Sequence, residues 1–119
     1  MQTILTNPGE PVAEFKLDGA LDTMEAQNFQ ETVLAAVNAP GARGVIIDAT
    51  NMPYMTSTGL RAFMSIGKAA RATGGDMILC GLGGLALEIF TSAGFSKVFP
   101  LASDIEAARK HFQKTGDAQ

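Results

Sequence analysis

The sequence predicts an α/β fold: a mixed, mostly parallel sheet of about five strands, opened by an N-terminal hairpin and covered by about four helices. Three observations predict it. Short β-branched runs without alternation recur along the chain, as in strands buried on both faces. Segments with apolar residues at helical spacing separate them, and Gly or Pro marks most of the boundaries. The 119 residues suffice for one core of normal depth but not for two, and a composition 46% hydrophobic and 18% charged suits a compact fold.

Gln2 to Thr6 reads as a short strand, closed by the turn residues Asn7-Pro8-Gly9. Val12 to Leu17 alternates, with Ala13, Phe15 and Leu17 on one face and Glu14 and Lys16 on a wet one, so the two strands are expected to pair as a hairpin. Asp22-Thr23-Met24-Glu25 resembles a capping box, and Ala26, Phe29, Val33 and Val37 follow at helical spacing until Pro40-Gly41. Val45-Ile46-Ile47 is a buried strand. A second helix begins near Ser57, presents Leu60, Phe63, Met64, Gly67 and Ala70, and stops at Gly74-Gly75. Met77 to Cys80 is the next buried strand; Leu82, Ala86, Ile89, Phe90 and Ala93 line a third helix, with Gly94 as its left-handed cap. Lys97-Val98-Phe99 is expected to form the last strand, before Pro100. Ser103-Asp104-Ile105-Glu106 caps a final helix carrying Ile105, Ala108 and Phe112. A single domain over residues 1–114 and a polar tail over 115–119 follow.

Nine basic and twelve acidic residues give a formal charge of −3, and the basic ones are scattered. Nucleic-acid binding needs clustered Lys and Arg, because counterion release drives it, so that class is set aside. One cysteine permits no internal disulfide and no Cys/His zinc cluster. No apolar run reaches the roughly 18 to 20 residues that span a bilayer, and Met1 to Thr6 lacks a signal peptide's character. These features predict a soluble cytoplasmic protein without cofactor or metal. No Gly-Lys-Ser/Thr P-loop occurs.

The segment Asp48 to Leu60 concentrates the chemistry. Asp48 sits where a buried strand emerges at its carboxyl end, the edge at which functional loops gather in α/β sheets. Thr56, Ser57 and Thr58 lie at a helix N-terminus, whose free N–H groups and positive dipole end favour an added phosphate. Ser and Thr are also the preferred N-caps, and capping explains one hydroxyl. It does not explain three in a row followed by Gly59, a poor first-turn residue.

This segment resembles the motif of STAS domains, specifically the bacterial anti-sigma factor antagonists: Asp-x-Ser/Thr, a short spacer, then aromatic-Met-Asp-Ser-Ser/Thr-Gly-Leu. Asp48 and Thr50 match the opening pair, Tyr54-Met55 the aromatic-Met step, and Ser57-Thr58-Gly59-Leu60 the core. Phe15 to Asp22, Gly75 to Cys80 and Phe90 to Phe95 also resemble that family. The resemblance implies a STAS fold and a module that is not an enzyme. It implies an anti-sigma factor that is also a serine kinase of the histidine-kinase-like ATPase type as partner, and a PP2C-type phosphatase that resets the switch. Ser57 becomes the implied phosphate acceptor, with Thr56 and Thr58 as rivals. Asp48, Thr50, Tyr54, Met55, Thr56, Thr58, Gly59 and Leu60 become the implied partner-binding surface. The family's pattern has Asp before the acceptor where this chain has Thr56. That departure leaves a second reading open: an unphosphorylated STAS adaptor, for example in a lipid transport complex.

Other features invite blander readings. Gly81-Leu82-Gly83-Gly84-Leu85-Ala86 fits G-x-G-x-x-A, yet no acid ends a strand cleanly about 20 residues on, so a tight glycine turn is preferred to a dinucleotide site. His111 is read as a surface residue and Cys80 as an inert core thiol. Met64 is assigned to the core; Met52 and Met55 fit either the core or a soft docking patch.

Overall fold

A computed structural model describes residues 1–117. The elements run β1 (Gln2–Leu5), β2 (Val12–Asp18), α1 (Thr23–Val37), β3 (Gly44–Asn51), α2 (Ser57–Ala72), β4 (Asp76–Cys80), α3 (Gly84–Ser92), a 3-10 turn (Phe95–Lys97), β5 (Leu101–Ala102) and α4 (Ile105–Asp117). Of the expected polar tail, residues 115–117 continue α4, and 118–119 lie outside the described residues.

The five strands lie side by side in chain order. β1 pairs antiparallel with β2, closing the expected hairpin, and the remaining pairs are parallel. Each parallel crossover therefore steps the same way across the sheet. Right-handed crossovers taken in one direction place all their helices on one face, and α1, α2 and α3 do share the main core with that face. Phe29, Phe63, Phe90, Phe95 and Phe99 run through that core in successive ring contacts of 5.2 to 6.3 Å, mostly edge to face.

The opposite face is covered by α4, which lays Ala108 and Phe112 over Ile46, Ile78 and Cys80. This corrects the wet face expected of β2. Lys16 is exposed, but Glu14 is only 9% exposed, and Arg109 of α4 grips it with Nε and Nη2 at 2.8 Å each. A bidentate charge-assisted pair lets a carboxylate sit under a helix that local alternation could not foresee.

The last strand is displaced from its expected position. Gly94 takes the left-handed conformation at φ 82° and ends α3 as expected, but the chain then tightens into the 3-10 turn. Val98 N–H donates to Phe95 O (3.0 Å), as does Phe99 N–H (2.9 Å), so Lys97 to Phe99 cannot join a ladder. Phe99 instead packs on Gly67 of α2, and pairing begins after Pro100, at Leu101 beside Leu79. β3 also runs further than expected, to Asn51.

Candidate functional site

Two chain segments build the surface around Ser57. Beyond β3, residues 51–56 run alongside residues 19–21: Gly19 N–H donates to Asn51 O (3.0 Å), Leu21 N–H to Tyr54 O (3.1 Å), and Thr56 N–H to Leu21 O (3.0 Å). The side chains of Leu21, Met52 and Met55 are buried beneath this ladder, which assigns both open methionines to the core. Met64 is partly buried against that core. Tyr54, 42% exposed, faces outward.

The first turn of α2 uses its three hydroxyls differently. Thr56, in extended conformation at φ −91° and ψ 172°, is the N-cap: its Oγ1 accepts from Gly59 N–H at 3.3 Å. Thr58 is half-buried, and its Oγ1 accepts from Arg61 Nη2 (3.3 Å) while lying 3.5 Å from the donating Thr23 Oγ1 at the start of α1. Ser57 is exposed, and among the described residues its hydroxyl makes no hydrogen bond. Gly59 is buried because the turn lies on Leu21; a Cβ there would come within 3.0 Å of both Leu21 Cγ and Leu21 O. The glycine that capping left unexplained thus lies in a tight spot, where a Cβ would need Leu21 to give way by a few tenths of an ångström. Leu60 is half-buried at the core's edge.

Asp48 and Thr50 form a local pair at the end of β3. Asp48 Oδ1 accepts from Thr50 Oγ1 at 2.6 Å and from Thr50 N–H at 3.1 Å. Gly81, leaving β4 at φ 72°, lies directly against Thr50, where a Cβ would stand 2.1 Å from Thr50 Oγ1. The glycine-rich turn therefore adjoins the Asp48–Thr50 pair, with its left-handed glycine and close approach accounting for the residue type.

Of the expected partner surface, Asp48, Thr50, Tyr54, Thr56, Thr58 and Leu60 reach solvent in part, while Met55 and Gly59 are buried and shape it from below. Sequence reasoning missed two side chains that meet Thr58. Thr23 arrives from 35 residues away and carried no signal. Arg61 stands four residues after Ser57, a helical neighbour by spacing.

Elsewhere, Cys80 is 1% exposed, and burial pushes its thiol up to about 12 from an ordinary 9.0, with Asp48, Asp104 and Glu14 adding to the rise. A thiol held protonated is a poor nucleophile, as expected of an inert core residue. His111 is exposed on α4, 3.7 Å from Asp76 Oδ2. A cleft of about 600 Å³ opens at the opposite, N-terminal edge of the strands, lined by Pro11, Glu14, Arg43 and Arg109 among others. No group of three or more His, Cys, Asp or Glu able to hold a metal occurs among the described residues, and no described helix is long and apolar enough to cross a membrane.

A mixed five-stranded sheet in chain order leads into a helix, α2, with a hydroxyl-rich start, and residues 4–108 match the STAS domain family model. The chain belongs to the STAS domain family. It is 32% identical over 97 residues to BtrV of Bordetella bronchiseptica, which bears the provisional name of anti-sigma factor antagonist, covering 82% of this chain and 83% of that one. An anti-sigma factor antagonist from Mycobacterium paratuberculosis has the same fold, with a TM-score of 0.80, 19% identity and 92% of each chain covered. The Bacillus cell fate determinant SpoIIAA in its phosphorylated form superposes with a TM-score of 0.71 and 17% identity, over 92% of this chain and 98% of SpoIIAA.

Proposed function

We propose that this protein is an anti-sigma factor antagonist of the partner-switching kind, a cytoplasmic binding module rather than an enzyme, released from its partner by phosphorylation of Ser57. The observation that carries this reading is the division of labour among three adjacent hydroxyls. Thr56 is committed to the helix cap, Thr58 is bonded to Arg61 and Thr23, and Ser57 alone is exposed with its oxygen unengaged. An acceptor must present its hydroxyl to an incoming phosphoryl group in line, and a hydroxyl already serving as a cap would have to give up that bond first. The kinship with BtrV, and a phosphorylated form known for a protein of the same fold, support the reading.

The partner is an anti-sigma factor that is also a serine kinase of the histidine-kinase-like ATPase type, and a PP2C-type phosphatase restores the hydroxyl. A phosphate adds about −1.5 to −2 charge and three acceptor oxygens where the partner docks. Tyr54, on the ladder-built surface, supplies an aromatic contact, and Asp48, at the end of β3, a polar one. Isothermal titration against the ATPase encoded nearest this chain, loaded with ADP, tests the proposal. Unmodified protein is expected to bind and the Ser57→Asp variant to bind at least tenfold more weakly. Equal affinity of Ser57→Asp, Ser57→Ala and the unmodified protein would remove Ser57 from the interface.

A further inference from the structure

We propose that Arg61 is the built-in counter-charge for a phosphate on Ser57, pinning it against the opening turns of α2. The proposal rests on the reading of Ser57 as acceptor. Residues four apart on a helix are surface neighbours, and an anion N-terminal to a cation at that spacing is the favourable order. Ser57 is the first residue of α2 and Arg61 the fifth, and both side chains are exposed. The Arg61 guanidinium already reaches back to the first turn, where Nη2 donates to Thr58 Oγ1 at 3.3 Å. Arg71 and Arg109 are held by carboxylates, Asp76 in one case and Glu14 and Glu106 in the other. Arg61, among the described residues, is held only by a neutral hydroxyl, so pairing a phosphate displaces no existing ion pair.

The surroundings leave that role to Arg61. The first turn of α2 contains no acid to compete for the guanidinium. On the adjoining start of α1, Asp22 Oδ1 accepts from Glu25 N–H at 2.9 Å, and Glu25 lies 3.9 Å from the N-terminal ammonium. A planar guanidinium offers parallel donors that match two phosphate oxygens, a fit a neutral hydroxyl cannot supply. Thr58 then gives up Arg61 and keeps Thr23. A partner approaching this surface meets a dianion fixed in one orientation, and a phosphatase has to break the pair to reach it.

The test installs phosphoserine at position 57 during translation and follows its second ionisation by phosphorus NMR against pH. In about 20 mM salt the midpoint is expected about 0.3 pH lower in the otherwise native protein than in Arg61→Gln, as an exposed ion pair at this spacing gives. Arg61→Lys should retain most of that difference, Lys68→Gln should not move the midpoint, and about 0.5 M salt should erase the effect. Equal midpoints for Arg61 and Arg61→Gln at low salt, in proteins with matching circular dichroism, would overturn the pairing. So would an equal displacement in Lys68→Gln, which would mark a general field. The phosphate is supplied genetically, so failure of a kinase to modify Ser57 counts against the acceptor reading alone.

Discussion

Replacing Thr56 by Ala removes the side-chain oxygen that accepts from Gly59 N–H and leaves one first-turn donor of α2, which has no intrahelical acceptor, without its cap. An N-cap Ser or Thr is worth about 0.5 to 2 kcal/mol, and a bond of 3.3 Å lies at the long end of useful geometry, so a loss of about 1 kcal/mol is expected. In a domain of this size that lowers Tm by about 4 °C. Thr56→Asp should do the opposite. It keeps the cap and adds a negative charge to a first turn that has none, a gain of about 0.3 to 1 kcal/mol at low ionic strength that salt removes. Ser57→Ala, at an exposed position with no bond to lose, should stay within about 0.5 kcal/mol of the parent. Thermal melts of the three variants by far-UV circular dichroism, at low and high salt, decide the matter. If Ser57→Ala loses about 1 kcal/mol while Thr56→Ala is neutral, the cap is Ser57, and the free hydroxyl on which the acceptor argument stands does not exist.

Two further outcomes follow from the packing. Gly67→Ala would set a Cβ 2.1 Å from Phe99 Cε1 and 2.4 Å from Cζ; overpacking of about 1 to 3 kcal/mol should outweigh the helix-propensity gain of about 1 kcal/mol and lower the denaturant midpoint. A raised midpoint would mean the ring moves freely. Cys80 binds its proton more tightly folded than unfolded, so its contribution is fully present below the ordinary 9.0 and is lost as pH rises toward about 12. Urea titrations across that interval should show a shallower alkaline loss in Cys80→Ala than in the parent; parallel losses would contradict the buried thiol.

Much of this architecture was legible because local and global preferences agree. Val45-Ile46-Ile47 and Met77 to Cys80 are buried on both faces, as unalternating apolar runs should be, and Asp22 caps α1 through Glu25 N–H as its spacing implies. What escaped was set by distant parts of the chain. Glu14 looked solvated until Arg109, 95 residues on, covered it. Lys97 to Phe99 has a strand's composition, but burial of Phe99 against Gly67 and the missing N–H of Pro100 moved the pairing to Leu101. At the site, three consecutive hydroxyls were visible in the sequence, whereas their separate duties depend on Leu21 and Thr23, brought in by the β2–α1 connection. Gly59 shows the same dependence: the Leu21 side chain and carbonyl crowd the place of a Cβ there, a contact that the sequence of α2 alone does not reveal.

The most direct test is phosphate stoichiometry and position, read by intact mass and fragment mapping after incubation with the nearest-encoded kinase and ATP. One phosphate is expected, located on Ser57, absent from Ser57→Ala and retained in Thr56→Ala and Thr58→Ala. A phosphate that persists in Ser57→Ala, or an unmodified protein beside a kinase shown to be active, would contradict that expectation.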